Sequence, residues 1–210
     1  KVQTNSERAL HSQKMVLELL KSDVSEKPHT LHSELDYWAG KLEISTPRFQ
    51  PRKSVAPDLS HPGIAVNMDA CIQCTRCVRA CRDEQNNDVI GLAMRGSHTE
   101  IVFDLDDPMA ESTCVACGEC VQACPTGALM PANEVGMVEP DRQVESVCPY
   151  CGVGCQLTYN IKDDKILYVE GRDGPANHGR LCVKGRYGFD YVHHPHRLTK
   201  PLIRREGAPK

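Results

Sequence analysis

Twelve cysteines account for every thiol in this 210-residue chain, and they fall into three sets of four. The first set is Cys71, Cys74, Cys77 and Cys81; the second is Cys114, Cys117, Cys120 and Cys124, followed by Pro125. Both read C-x2-C-x2-C-x3-C. A loop with thiolates at i, i+3 and i+6 presents three sulfurs to three irons of one [4Fe–4S] cube, and in two-cluster chains the fourth cysteine ligates the other cube. The spacing therefore predicts one cluster on Cys71, Cys74, Cys77 and Cys124, and a second on Cys114, Cys117, Cys120 and Cys81. The crossing makes the two loops interdependent. The third set is Cys148, Cys151, Cys155 and, after a long interval, Cys182. It predicts a third [4Fe–4S] cluster, so the chain reads as an electron carrier.

Two other uses of these thiols compete. Disulfides suit an even cysteine count, but three Cys within seven residues, twice over, suit a metal better than a secreted framework. Zinc sites usually take two separate C-x2-C knuckles, whereas a consecutive run wraps the corners of a cube; zinc competes most strongly for the last four cysteines. Gly118, Gly127, Gly152 and Gly154 let the backbone approach a cube and donate N–H groups to sulfur, which tunes its potential. Ile72, Val78, Val115 and Val121 would exclude water. Each of these also reads as an ordinary turn glycine or core side chain. No Ser/His/Asp set, P-loop or H-E-x-x-H occurs, so no catalytic residue is expected in this stretch. His193, His194 and His196, around Pro195, read as a turn.

The elements that must hold these loops suggest an α+β chain. Its net charge of −3 argues against a nucleic-acid partner, which wants a basic patch. No apolar run approaches the roughly 20 residues of a membrane span, and no signal peptide is visible. The chain opens at Lys1 without an initiator Met and reads as part of a longer polypeptide. Residues 1–44 suggest a helical docking segment. Thr4 and Glu7 form a capping box, and Leu10, Met15, Val16, Leu17, Leu19 and Leu20 give an apolar face ended by Lys21 and Pro28. Leu31, Leu35, Trp38, Ala39 and Leu42 suggest a second helix with Trp38 as a packing anchor. Residues 45–63 read as a linker, with Pro47, Pro51, Pro57 and Pro62 and the basic residues Arg48, Arg52 and Lys53.

Residues 64–140 suggest a doubled strand, Cys loop and helix. Ile64 to Met68 leads into the first loop, Ile101-Val102-Phe103 leads into the second, and a hairpin is inserted around Ile90 to His98. Pro125 to Leu129 turns back into a strand. Residues 141–194 form the third unit, with a β-hairpin from Gln156–Ile161 and Ile166–Val169 joined by a polar turn, Lys162 to Lys165. Residues 195–210 are a lead-in to something further.

Val147-Cys148-Pro149-Tyr150-Cys151-Gly152-Val153-Gly154-Cys155, followed by Gly179-Arg180-Leu181-Cys182-Val183-Lys184-Gly185-Arg186, resembles the N-terminal cluster domain of molybdopterin oxidoreductases. Within them it looks most like formate dehydrogenase. The doubled run resembles bacterial ferredoxins. A two-cluster ferredoxin-like domain, followed by a small β-rich [4Fe–4S] domain and preceded by a helical linker, is similar to the α subunit of NAD-dependent, multisubunit formate dehydrogenases. Those relatives share their front half with the large iron–sulfur subunit of respiratory complex I and with some hydrogenases.

The resemblance implies oxidation of formate to CO2, or the reverse, at a Mo or W bis-molybdopterin guanine dinucleotide centre outside this stretch. It implies Lys184 as an electron-relay contact between cluster and pterin. It implies a diaphorase-like partner, an iron–sulfur subunit that binds FMN and NAD, and a cytoplasmic location. His194 to Leu202 resembles the lead-in to the catalytic region, so this stretch alone would be a conduit within the enzyme. Two departures stand out. No cysteine precedes Cys71, so the His/Cys3 site of many relatives is missing despite His29 and His32, while a [2Fe–2S] domain could lie upstream. Arg82 stands where the ferredoxin run has Pro. The alternatives are the same portion of a nitrate reductase-like or complex I-type subunit, a stand-alone polyferredoxin, and a zinc-structured scaffold.

Overall fold

The computed structural model describes residues 2–24, 30–44, 47–132 and 138–207. Pro28, His29 and the last three residues of the lead-in lie outside them.

Helix α1 spans Glu7–Asp23. Its N-cap is Ser6, whose hydroxyl accepts from the Ala9 N–H at 3.3 Å, two residues later than the expected box at Thr4. Glu7 instead places its charge in the first turn, where it complements the helix dipole. The expected apolar face is only partly used. Val16 and Leu19 are exposed, whereas Glu18 and Ser22 are buried. The reason is Arg48, which crosses the helix and donates twice to the Glu18 carboxylate at 2.7 Å. That guanidinium holds the Glu18 carboxyl down at about 2. Helix α2, Glu34–Lys41, is capped by Ser33 and buries Leu35 and Ala39. Trp38 remains half exposed, with the Lys41 ammonium 4.7 Å from its ring centroid. It is a partial anchor, lining a cleft with Val16, Leu17 and Leu42.

The next unit is built from two short antiparallel pairs. Strand β1, Ile64–Val66, pairs with β4, Leu129–Pro131, so the chain before the first Cys loop is closed by the chain after the second. Strand β2, Ile90–Ala93, pairs with β3, Glu100–Phe103. The inserted hairpin and the strand expected before the second loop are thus one element. Their alternation explains it: Ile90, Ile101 and Phe103 face one core, which they share with Ile64, Val66, Val78, Val89, Met109 and Leu129. Each fully buried aliphatic of this kind contributes roughly 1.5–3 kcal/mol. Helix α3, Arg76–Arg79, runs into a π-helical turn, Ala80–Glu84, and α4 spans Glu119–Ala123.

The third unit is a three-stranded sheet in the order β5-β6-β7, with β5 at Arg142–Val147, β6 at Gln156–Lys162 and β7 at Lys165–Gly171. The turn from β6 to β7 is tighter than expected. Asp163 and Asp164 both take positive φ, 49° and 58°, the backbone of a two-residue primed hairpin turn. Helix α5, Val183–Tyr187, packs on β7. Cys148, Leu157, Val169, Leu181 and Phe189 form the core. Among the described residues, no helix is long and apolar enough to cross a membrane.

Candidate metal centres

The two Cys loops share their left-handed turns and differ at the fourth cysteine, where Cys81 lies in the π-helical turn and Cys124 is extended. Gln73 and Thr75 take φ of 54° and 59°, and the matching positions, Ala116 and Gly118, take 54° and 75°. A non-glycine residue in the left-handed region costs about 1–3 kcal/mol and persists only where its surroundings demand it. Here the conformation turns backbone N–H groups onto sulfur. Gln73 N–H donates to Cys71 Sγ and Ala116 N–H to Cys114 Sγ, both at 3.4 Å. The repeat in sequence is therefore a repeat in geometry through those turns.

The thiols fall into facing sets. Cys71, Cys74, Cys77 and Cys124 line one cavity, with Met68, Ile72, Ile101, Pro125, Ala128 and Leu129 as its apolar wall. Burial pushes the Cys77 thiol up to about 12, and Cys71, Cys124 and Cys74 add to the effect. Cys71 is raised for the same reasons, countered in part by Arg52, which donates to the Met68 and Cys71 carbonyls at 2.9 and 3.3 Å. In the second set, burial raises Cys114, Cys117 and Cys120, and each also feels Cys81. Cys120 feels Cys77 as well, so the two sets adjoin. In the third set, burial raises Cys155, and Cys148, Cys151 and Cys182 raise it further.

Such buried thiols resist ionisation until positive charge arrives. Soft iron supplies that charge, and a metal binds the thiolate form. Four thiols around an apolar cavity, with N–H groups aimed at sulfur, fit an iron–sulfur cube. Among the described residues, no three His, Cys, Asp or Glu side chains converge as they would on a single ion.

The third set is more open than the others. Cys148 is buried and Cys155 half-buried, while Cys151 and Cys182 are exposed. Val147, Tyr150, Val153, Val183 and Tyr191 are exposed in the same unit. Lys184, two residues beyond Cys182, is exposed on α5.

Several residues that hold the units together escaped the sequence reading. Arg186 of α5 reaches into the second Cys loop, donating to the Cys117 carbonyl, Glu119 Oε1 and Gln122 Oε1, each at 2.9 Å. Glu119 Oε1 also accepts from Leu181 N–H at 3.1 Å. Arg186 and Glu119 are 3% and 7% exposed, a buried ion pair across the units. Gln122 donates to the Gly179 carbonyl at 2.7 Å, and Arg180 pairs with Glu84. Burial also pushes up the Tyr187 hydroxyl; Arg186 opposes this, while Cys120, Cys117 and Cys114 add to it. The available signal was an acidic residue between two cysteines, Glu119, which needs a cation nearby once its loop is buried. On the other side, Arg76 forks onto Glu34 at 2.6 and 2.9 Å, joining α2 to the first loop.

Residues 61–130 match the family described as NADH-quinone oxidoreductase subunit 3, ferredoxin-like domain, and residues 141–194 match the Molybdopterin oxidoreductase Fe4S4 domain. Proteins named "Putative formate dehydrogenase" in Staphylococcus haemolyticus (strain JCSC1435) and Staphylococcus aureus (strain USA300) are each 31% identical over 218 residues, covering 84% of this chain and 22% of theirs. The chain thus spans 22% of the curated relatives it matches. The crystal structure of an NAD+-reducing [NiFe]-hydrogenase in the H2-reduced state superposes on 60% of this chain and 56% of its own, with a TM-score of 0.56 at 22% identity. That is a likeness of fold.

Proposed function

From a chain that is the iron–sulfur portion of a formate dehydrogenase-like subunit, we propose a conduit of three [4Fe–4S] clusters inside a formate dehydrogenase. When bound, the cubes supply one-electron carriers between formate oxidation (or CO2 reduction) at a Mo or W bis-pterin centre and a flavin- and NAD-binding partner subunit.

The chain's own residues hold, shield and connect these carriers. Cys71, Cys74, Cys77 and Cys124 hold one, Cys114, Cys117, Cys120 and Cys81 the second, and Cys148, Cys151, Cys155 and Cys182 the third. The observation that carries this reading is the crossing: Cys124 shares its cavity with the three thiols of the opposite loop. The Gln73 and Ala116 N–H groups favour the more negative, reduced form, since donors to sulfur stabilise added charge. Residues 64–140 and 141–194 serve as the cluster-bearing units, 1–44 as a docking segment tied on by Arg76 and Glu34, and 45–63 as its linker. The open face around Cys151 and Cys182 is where a pterin region of the full-length protein, entered through 195–210, would dock, with Lys184 as the relay contact.

The test uses the full-length protein with its partner, purified anaerobically. Formate should bleach the iron–sulfur absorbance and, with NAD+ added, yield NADH. Bleaching by NADH together with complete indifference to formate would overturn the formate assignment while leaving the conduit.

A further inference from the structure

Tyr187 belongs to the third unit but ends inside the second. It closes α5, yet its ring packs against the core that contains Cys81 and Cys120. A methyl group placed on Gly63 would stand 3.7 Å from that ring, and one on Gly118 would stand 2.7 Å from the Tyr187 hydroxyl. The hydroxyl therefore lies against the left-handed turn between Cys117 and Cys120. It is buried and has no hydrogen-bond partner among the described residues. Native proteins rarely leave a buried hydroxyl unpaired, because its desolvation is uncompensated.

The neighbouring polar groups are otherwise engaged. Arg186, the preceding residue, takes the Cys117 carbonyl, Glu119 and Gln122. The core that Tyr187 packs against contains the thiols of Cys81 and Cys120, with Cys114 packed on it. The cysteines whose charge it feels are Cys120, Cys117 and Cys114, all of one set.

We infer that the Tyr187 hydroxyl donates a hydrogen bond to a sulfur of the cluster held by Cys114, Cys117, Cys120 and Cys81, and raises that cluster's reduction potential. The inference rests on the cluster assignment proposed above. A donor to sulfur favours the reduced cluster, which carries one more negative charge. The residue comes from the neighbouring unit, so docking of that unit would set the potential of a carrier it does not ligate. Phenylalanine in the same place would keep the ring contacts and lose only the donor.

The experiment is an EPR-monitored redox titration of the anaerobic holoprotein and its Tyr187→Phe variant, with iron counted in both. The variant should keep about twelve irons, three cubes' worth, and show one cluster with a lowered midpoint potential while the other two stay put. Three unmoved potentials, or three moved together, would overturn the inference and leave the clusters standing. A wild-type protein without iron–sulfur signals would overturn the assignment beneath it. Should the variant load less iron, the wild type decides. With ring-deuterated tyrosine placed at position 187 alone, pulsed ENDOR of the reduced cluster should detect a deuterium coupling, and no coupling would overturn the inference.

Discussion

Glu119→Ala probes the joint between the two cluster units. In the wild type, Glu119 Oε1 accepts from Leu181 N–H at 3.1 Å and from Arg186 at 2.9 Å, and both charged side chains are nearly sealed from water, at 3% and 7% exposure. Removing the carboxylate leaves a buried guanidinium with only neutral acceptors, the Cys117 carbonyl and Gln122. Stranding one partner of a buried ion pair costs about 3–5 kcal/mol. The exposed pair Arg76 and Glu34, at 44% and 51% side-chain exposure, is the control; Glu34→Ala should cost about 1 kcal/mol or less. Replacing both buried partners with apolar residues, Glu119→Leu with Arg186→Met, should cost less than either single change, because no charge is stranded. The assay is anaerobic urea denaturation of the holoprotein, followed by circular dichroism and by cluster absorbance. With an m-value of about 2–3 kcal/mol per molar urea, the midpoint should fall by about 1–2.5 M. It should fall first for the third unit, whose attachment has been cut. A Glu119→Ala midpoint no lower than that of Glu34→Ala, or a double variant costing the sum of its singles, would refute the reasoning.

Other expectations follow from the same geometry. Cys81→Ser should lower iron by about four per chain and remove the signal of the cluster on Cys114, Cys117 and Cys120; loss from the Cys71 loop instead would contradict the crossing, and iron analysis with EPR separates the two. Gly118→Ala forces a side chain onto a φ of +75° and into Arg186 and Tyr187, so it should destabilise by at least about 1–3 kcal/mol. Gly91→Ala, on β2 and outside the Cys loops, meets nothing within 4 Å and should cost no more than about 0.5 kcal/mol in the same denaturation assay. His61 is buried with Nδ1 accepting from the Gly63 and Ile64 N–H groups, both at 3.1 Å. Burial lowers its pKa from 6.5, opposed by Asp58, so the fold favours the neutral ring. Stability should be fully present above 6.5 and should decline as pH falls from there through the lowered folded value. His61→Gln should flatten that part of the stability profile.

The grouping of the cysteines was legible because C-x2-C-x2-C-x3-C is a local spacing, and Cys124 does share a cavity with Cys71, Cys74 and Cys77. The positive-φ residues Gln73, Thr75 and Ala116 carry no such signal, since their conformation is imposed by the loop and not by their own preference. Strand β5 was missed because Arg142, Gln143 and Glu145 offer no apolar alternation, and its place comes from pairing with β6. The split of Ile101 to Phe103 from the Ile90 hairpin failed because a repeat in sequence invited a repeat in topology, whereas the side chains of both segments needed the same core. Apolar periodicity marked the face of α1, but Arg48 drew Glu18 inward, a contact 30 residues away that periodicity cannot register. Arg186 closed the quoted motif and Tyr187 followed it directly. Their reach into the neighbouring unit became visible only when Gly118 brought the second loop close.

The most direct measurement is iron, acid-labile sulfide and zinc per chain on anaerobically prepared protein, together with its visible spectrum. Three cubes predict about twelve irons with matching sulfide and no stoichiometric zinc. About eight irons with one zinc would strip the Cys148, Cys151, Cys155 and Cys182 site of its cluster, and with it the link to formate oxidation. A colourless protein with one zinc per four cysteines would contradict the conduit altogether.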